Sequence, residues 1–276
     1  MFGPYRRACQ IAVFILMFVV PTLNLYEIYA VTGTFYSINI GGLGVADPVV
    51  LLQAVVASTE LSRALAFAAI FPIFLALLFG RIWCGWMCPY HLVSDVACAI
   101  RDRVRSIGRE SSPPHRFAVP ESLRANTWRF GFLIVGTLAA GAVAVPVLNY
   151  VHAPGILSAE AMIFIKERSV SLEFAFIVAL VLLEILVLPR FWCRLFCPTG
   201  AFISLFRFSF TLRVKSTLGN LKRACCEDLH CERACPMGLK PALESEDFLC
   251  TNCGLCIDAC KKNHGRSRLR FSGFRG

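Results

Sequence analysis

The segment Arg81-Ile-Trp-Cys-Gly-Trp-Met-Cys-Pro89 returns 109 residues later as Arg190-Phe-Trp-Cys-Arg-Leu-Phe-Cys-Pro198. Each copy follows an apolar stretch. Each also precedes a segment, about 90–105 or 199–213, whose apolar residues are spaced for one helix face, as in helices that lie along a membrane surface. The repeat predicts two parallel copies of one unit, made of a helix, an outer loop, a second helix and a Cys motif.

The composition is that of a membrane protein. The chain has 276 residues, of which 57% are hydrophobic and 17% charged, and its mean hydropathy is +0.63. These values fit a soluble domain poorly. Apolar stretches of roughly bilayer-crossing length lie at 9–29, 64–80, 128–148 and 172–188. We therefore predict an all-α membrane protein with four transmembrane helices.

The basic residues predict its orientation. The 27–62 stretch has no Lys or Arg and 149–171 has two, whereas 81–129 has eight and 190–276 has fifteen. The positive-inside rule then places both termini and the Cys-rich tail in the cytoplasm of a bacterium, with the chain crossing the inner membrane several times. The net charge of +10 lies beside apolar segments rather than on one basic domain, which excludes nucleic acid as the expected partner.

The tail carries the spacing of an iron–sulfur module. The run Cys250-x2-Cys253-x2-Cys256-x3-Cys260 is typical of a loop that gives three thiolates to one [4Fe–4S] cluster while the fourth Cys reaches a second cluster. A zinc site would normally use two separated CxxC pairs. A disulfide framework does not suit the reducing cytoplasm. We predict a helical membrane domain over 1–213 and a cytoplasmic two-cluster ferredoxin-like domain over 214–276.

The upstream half of this module is irregular, because the ferredoxin pattern expects a Cys where Asp228 stands. Either Asp228 binds iron through oxygen, or Cys226 takes its place, or the first cluster lacks one ligand. We favour Cys226 because oxygen is the weaker ligand for a soft iron–sulfur centre. The predicted ligand sets are Cys225, Cys226, Cys231 and Cys260 for one cluster, and Cys235, Cys250, Cys253 and Cys256 for the other.

The repeated Cys motifs are candidates for a further metal site. In a helix the two cysteines of each motif lie at i and i+4, with both thiols on one face, and the proline after each second Cys predicts a turn there. The four thiols, those of Cys84, Cys88, Cys193 and Cys197, could form one site for iron, copper or zinc, or a redox-active thiol group. The alternative is that they are small packing residues, as we expect for Cys9 and Cys98.

The chain resembles the NapH/MauN family of ferredoxin-type membrane proteins. The resemblance covers nearly the whole chain, and Asp228 departs from the family pattern. For NapH-like members it implies quinol dehydrogenation in the inner membrane, with electrons passed to a periplasmic iron–sulfur or cytochrome partner and on to nitrate reductase. For MauN-like members it implies electron transfer in methylamine use. The motifs that carry it are Trp83-Cys84 to Pro89, Trp192-Cys193 to Pro198, and Cys225 to Cys260.

A quinol site needs groups that can accept protons. Glu184 lies within the fourth predicted span, where a carboxyl is costly enough to be a functional candidate, although it could also be a protonated acid hydrogen-bonded between helices. His152 lies in a predicted outer loop, and histidine is the side chain that ordinarily changes charge near neutral pH. We assign the candidate catalytic quinol site to Glu184 and His152. Other outer polar groups that could take protons are Tyr36, Asp47 and Glu160.

Two functions remain open. The first is a membrane electron-transfer subunit that oxidises quinol and works with lipid, quinone and a ferredoxin-type or cytochrome partner. The second is a maturation or copper-handling factor that uses the thiols of the repeated motif, as the related arrangements in NosR and CcoG suggest. We favour the first, because a factor that needs thiols alone has no need of two clusters.

Overall fold

The computed structural model describes residues 2–27, 29, 31–34, 37–58, 63–107, 122–216, 230–241, 247–265 and 267–273. The first half contains α1 (Phe2–Leu25), β1 (Val31–Thr34), β2 (Ser37–Ile40), β3 (Leu43–Ala46), α2 (Pro48–Ser58), α3 (Arg63–Phe79), α4 (Ile82–Trp86) and α5 (Pro89–Ile107). The second half contains α6 (Ser122–Val143), the 3-10 helix Val147–Val151, α7 (Ala153–Glu167), α8 (Glu173–Leu186), α9 (Phe191–Leu195), α10 (Pro198–Leu205), β4 (Arg213–Ser216), α11 (His230–Arg233), α12 (Leu255–His264) and β5 (Leu269–Ser272).

Helices α1, α3, α6 and α8 coincide with the four apolar stretches. Within the described ranges, only α1, with 24 residues, is both long and apolar enough to cross a membrane, and α3 is apolar but has 17. Helix α8 has 14 residues, or about 21 Å at 1.5 Å per residue, against a hydrocarbon core of about 30 Å. The helical character is therefore confirmed, while four complete spans remain a prediction.

The predicted outer loops are folded segments. The first contains an antiparallel sheet in the order β1-β2-β3, and its second turn uses Gly41 and Gly42, both at positive φ, as two-residue hairpins require. The all-α prediction is wrong here. Periodicity favours helices in apolar segments, but this glycine-rich stretch pairs its backbone groups between short strands instead.

The helices that follow these segments begin inside the protein. Helix α2 starts at buried Pro48 and contacts α3 and α6, and α7 starts beside buried Pro154 and contacts α1 and α8. The two segments also bind each other. The amide of Leu148 donates to Gln53 Oε1 at 2.8 Å, and Gln53 Nε2 donates to Asn149 Oδ1 at 3.2 Å. The two repeats are thus joined at this end.

The C-terminal module is docked onto the Cys motifs. Strands β4 and β5 pair antiparallel, so β4 crosses the predicted boundary at 213. Asn252 Nδ2 donates to the carbonyl of Phe79 at 3.0 Å, and Trp86 Nε1 donates to the carbonyl of Asn252 at 3.2 Å. Arg194 Nη1 donates to the carbonyl of Met237 at 2.6 Å. These bonds fix the tail against both copies of the motif.

The start of α1 closes the other side of the module. The amide of Gly3 donates to Asp258 Oδ2 at 2.8 Å, and the ring of Phe2 meets that of Phe271 edge to face at 5.2 Å. Phe2 also lies over Gly254, where an added Cβ would come within 2.8 Å of its ring. Because Gly254 has φ +77° as well, a larger residue would be strained there.

Candidate iron–sulfur site

Four cysteines of the tail face one pocket. Cys235, Cys250, Cys253 and Cys256 line it together with apolar neighbours that include Met237. Asn252 and Gly254 have positive φ, so the chain curls between Cys250 and Gly254, and α12, which carries Cys256, begins directly afterwards at Leu255. The sequence spacing assigned the same four thiols to one cluster, and their binding to that cluster is a proposal.

The surroundings of these thiols fit a buried anionic cluster. Burial, and then the neighbouring Cys253, raise the pKa of Cys235 to about 12, although the backbone amides of Leu239 and Met237 hydrogen-bond to it. Burial also raises the pKa of Cys256 well above its ordinary value. Thiols in such a place become thiolates only beside a metal cation. Backbone donors aimed at sulfur in an apolar pocket are typical of iron–sulfur sites.

A single metal ion fits this part of the chain less well. Across the described residues, no three His, Cys, Asp or Glu side chains are close enough to hold one ion. Four thiolates around one zinc, each at about 2.3 Å, would have sulfurs about 3.8 Å apart. A cubane has its irons at separate corners and therefore needs thiols that lie further apart. The cysteines of the repeated motifs are among the described residues, and no three of them are gathered in this way either.

The other predicted ligand set is described in part. Cys231 in α11 and Cys260 in α12 are both buried, and the two helices contact each other. Cys231 packs with Val214 and Leu269 of the small sheet. The described residues do not include Cys225, Cys226 or Asp228. The assignment of Cys226 rather than Asp228 as a ligand therefore stays a prediction.

Each Cys motif is split between two helices. The amide of Cys88 donates to the carbonyl of Trp83 at 3.0 Å, and that of Cys197 to the carbonyl of Trp192 at 2.9 Å. Helices α4 and α9 end there, and α5 and α10 begin at the following proline. The predicted break at the proline after each second Cys is present, because proline is tolerated at the first helical position but not inside a helix.

The thiols of the two copies are close to one another and to the tail. Cys88, Cys193 and Cys197 belong to one buried cluster, against which Cys235 and Cys250 pack. Burial, followed by Cys84, raises the pKa of Cys197 to about 12. Burial, followed by Glu184, Cys197 and Cys88, raises the pKa of Cys193 well above its ordinary value. The repeated motifs therefore pack against the part of the tail that carries Cys235 and Cys250.

A buried group of charges lies between α1, α5 and α9. The Asp95 carboxylate accepts from Arg6 Nη2 at 2.6 Å and also from Arg190 Nη2. Arg190 Nη1 is 3.0 Å from His91 Nε2. Burial, followed by the two arginines, lowers the pKa of His91 well below its ordinary value, so the imidazole is neutral. Two guanidinium groups thus share one carboxylate and leave a net positive charge.

Two further arginines lie at the Cys250 loop. Arg81 Nη1 donates to the carbonyl of Phe248 at 2.8 Å, and Arg129 Nη2 donates to the same oxygen at 3.3 Å. Arg129 Nη2 also donates to Ser204 Oγ at 3.1 Å. The Nε of both arginines and Nη1 of Arg129 are buried without a hydrogen-bond partner in the described part of the chain. Asp247 is the nearby carboxylate for Arg129, so the two arginines bring an excess of positive charge to the buried thiols, which an anionic cluster would balance.

These arginines are the part of the site that sequence reasoning missed. It counted them as charges on the cytoplasmic face, yet they are 0–6% exposed. The repeat did contain a signal, because the same residue type precedes both Cys motifs at the same distance. The missed residues are Arg6, Arg81, Arg129, Arg190 and Arg194.

The two residues of the predicted quinol site belong to different hydrogen-bonded groups. Glu184 is fully buried and accepts from Tyr90 Oη at 3.0 Å and from Ser94 Oγ at 2.5 Å, which links α8 to α5. His152 Nε2 lies 2.8 Å from Thr199 Oγ1. Of the other candidates, Glu160 accepts from Ser171 between α7 and α8, and Tyr36 lies outside the described residues.

Asp47 and His152 lie beside a Cys motif. Thr199 Oγ1 donates to Asp47 Oδ2 at 2.6 Å, and the same carboxylate oxygen is 3.5 Å from His152 Nε2. Thr199 follows Cys197 by two residues. The expectation that these outer-loop groups lie on the face opposite the Cys motifs is therefore wrong. Both segments fold back so that the starts of α2 and α7 reach α10.

Comparison with known proteins supports the repeat. A family model described as a 4Fe-4S binding domain matches residues 63–107 and 171–215. Each match contains one Cys motif and ends before the tail. The family model therefore associates iron–sulfur binding with the repeated motifs, which the sequence interpretation treated only as a possible extra metal site. No solved structure matches the chain.

Several characterised relatives align along most of the chain. The methylamine utilization ferredoxin-type protein MauN of Paracoccus denitrificans is 31% identical over 94% of this chain and 75% of its own length. MauN of Methylorubrum extorquens is 29% identical over 86% and 68%. The ferredoxin-type protein NapH of Haemophilus influenzae is 24% identical over 97% and 89%. With this coverage and both motifs in place, the chain belongs to the NapH/MauN family of ferredoxin-type iron–sulfur electron-transfer proteins.

Proposed function

We propose that this protein oxidises quinol in the bacterial inner membrane and passes the electrons to a periplasmic redox partner. The observation that carries the proposal is the pocket lined by Cys235, Cys250, Cys253 and Cys256, near which two buried arginines share the single carboxylate of Asp95. The apolar surface supports the membrane location, since α1 can span a bilayer and α3 exposes Phe67, Phe71 and Phe74.

The chemistry is a two-electron oxidation coupled to one-electron carriers. One quinol loses two O–H bonds, two protons and two electrons. When bound, the two clusters each supply a site for one electron. The chain holds the thiols in a dry pocket, aims backbone amides at them, and places Arg81 and Arg190 where positive charge stabilises the reduced, more negative state. The relatives are named as ferredoxin-type proteins, which supports electron transfer.

The proposed orientation is tested with a reporter that is active only in the periplasm. We expect the reporter to be silent when it is fused after Gly276, and active when it is inserted at 59–62, between α2 and α3. The reason is the strong excess of basic residues on the predicted inner side. Six of these basic residues are buried arginines, which makes the test a stringent one. Activity after Gly276 would place the Cys loop on the outer face and contradict the proposal.

The proposed reaction is tested with anaerobically purified protein in lipid nanodiscs. We expect ubiquinol or menaquinol to reduce the clusters, as seen by electron paramagnetic resonance, in an amount that follows the quinol added. Dithionite reduction of the same sample gives the total. A sample that dithionite reduces and neither quinol does would exclude quinol oxidation and leave the iron–sulfur assignment in place.

A further inference from the structure

An apolar cavity of about 300 Å³ lies between α3, β3 and the start of α10. Its walls include Val45, Leu75 and Ile203, and its polar side chains are Asp47 and Thr199. Phe71 also lines it and is 54% exposed on the outer surface of α3. The cavity is therefore reached from the side of an apolar helix, which suits a ligand that arrives through lipid.

The polar corner of the cavity is fixed by three side chains. Asp47 is 6% exposed, and its Oδ1 accepts from the amide of Val49 at 2.9 Å. Its Oδ2 accepts from the hydroxyl of Thr199. The oxygen of that hydroxyl is also hydrogen-bonded to His152 Nε2. Each carboxylate oxygen can accept a second hydrogen bond. The corner is thus suited to a ligand that brings a hydroxyl donor into an otherwise apolar space.

The cavity shares its walls with the redox-active part of the protein. Trp83 lines it and is followed by Cys84, and Thr199 follows Cys197 by two residues. On another side, the carbonyl of Phe79 accepts from Asn252, which stands between Cys250 and Cys253. A ligand in the cavity would therefore be separated from both groups of thiols by single layers of residues.

We propose that this cavity binds the ring of a lipid-soluble quinol, with one ring hydroxyl donating to Asp47. The inference rests on the proposed quinol oxidation and names its site. A lipid acyl chain would suit the walls but would offer no donor to the carboxylate. The predicted Glu184 does not line the cavity, whereas His152 belongs to the site through Thr199.

The test uses the full-length holoprotein in nanodiscs with a ubiquinone analogue that carries a photoreactive azido group on its ring. We expect the label in peptides that contain 45–48 or 71–87. Ala76→Phe, which fills the cavity from α3, should lower labelling at least about tenfold. Ala64→Phe is the matched control, because Ala64 is exposed on the same helix, and it should label like the unchanged protein. Iron content confirms that each variant is folded.

A second variant tests the hydrogen bond. Asp47→Asn keeps an oxygen for the amide of Val49 but removes the charge, so it should weaken competition by unlabelled quinol about tenfold. Label in other parts of the protein, or labelling and competition that neither Ala76→Phe nor Asp47→Asn changes, would overturn the site. If quinol reduces the clusters but the label lies elsewhere, the site is wrong and the function stands. If the cavity is labelled without cluster reduction, the site stands and quinol oxidation fails.

Discussion

Replacing Cys253 with Ser is expected to remove one cluster and lower the iron content from about eight to about four atoms per chain. The thiol of Cys253 lines the pocket with three other cysteines, and three of those four thiols come from one short loop. Serine keeps the size of the side chain but replaces thiolate with a poor ligand for a soft iron centre. Iron and acid-labile sulfide analysis, together with the resonance spectrum of the reduced protein, measure the loss.

The control for this change is Cys98→Ser. Cys98 lies on α5, and burial raises its pKa to about 11, as expected of a packing thiol. This variant should keep the full iron content. If Cys253→Ser also kept it, or if zinc replaced iron in the unchanged protein, the pocket would have another role. A starting content near twelve atoms would instead indicate that the repeated motifs hold a third cluster.

Replacing Asp95 with Asn is expected to destabilise the protein by about 3–5 kcal/mol. The change keeps the shape of the side chain and removes the carboxylate shared by Arg6 and Arg190. Both arginines are nearly inaccessible to water. Burial lowers the pKa of Arg190 only to about 10, so it stays charged at neutral pH. The variant would leave two buried guanidinium groups without a counter-charge, which lowers the free energy of unfolding.

The measurement is reversible unfolding in mixed detergent micelles, with Asp102→Asn as the control. Asp102 lies on the same helix and is exposed, so its replacement should change the free energy of unfolding by less than about 0.5 kcal/mol. A loss below about 1 kcal/mol for Asp95→Asn would show that the two arginines are balanced by another group.

The local features of the site could be predicted from the sequence. Cys250, Cys253 and Cys256 are so close in sequence that their thiols have to lie near one another. Their common pocket could therefore be expected from the spacing. The repeat of the Cys motif predicted a helix after each copy, at about 90–105 and 199–213. The first is present as α5, whereas the second, α10, ends already at Leu205 and Arg213 begins a strand. Glu184 was expected to be buried, and its partners Tyr90 and Ser94 show how a carboxyl is accommodated there.

The non-local features could not be predicted. Asp47 and Thr199 are 152 residues apart, and no periodic pattern connects them. The count of charges gave the positions of the arginines in the sequence but not their surroundings. In the structure they bind carbonyl groups and one carboxylate of distant segments, as Arg81 binds the carbonyl of Phe248. The two predicted outer loops contain turn residues and apolar residues, but these do not predict that the loops fold back towards the Cys motifs. That arrangement depends on contacts such as Gln53 with Asn149, which form only when the helices are assembled.

The contact of α1 with the tail has a consequence for biogenesis. Phe2 and Gly3 are synthesised long before Gly254 and Asp258, the residues against which they rest. The wall of the Cys loop is therefore incomplete until the whole helical part has been translated and inserted. Long-range closure of this kind is slow, so cluster assembly has to act on a finished chain. A ribosome-bound fragment that ends before residue 254 would have the membrane helices but would lack Cys256 and the contact with Phe2, so its tail pocket would be incomplete.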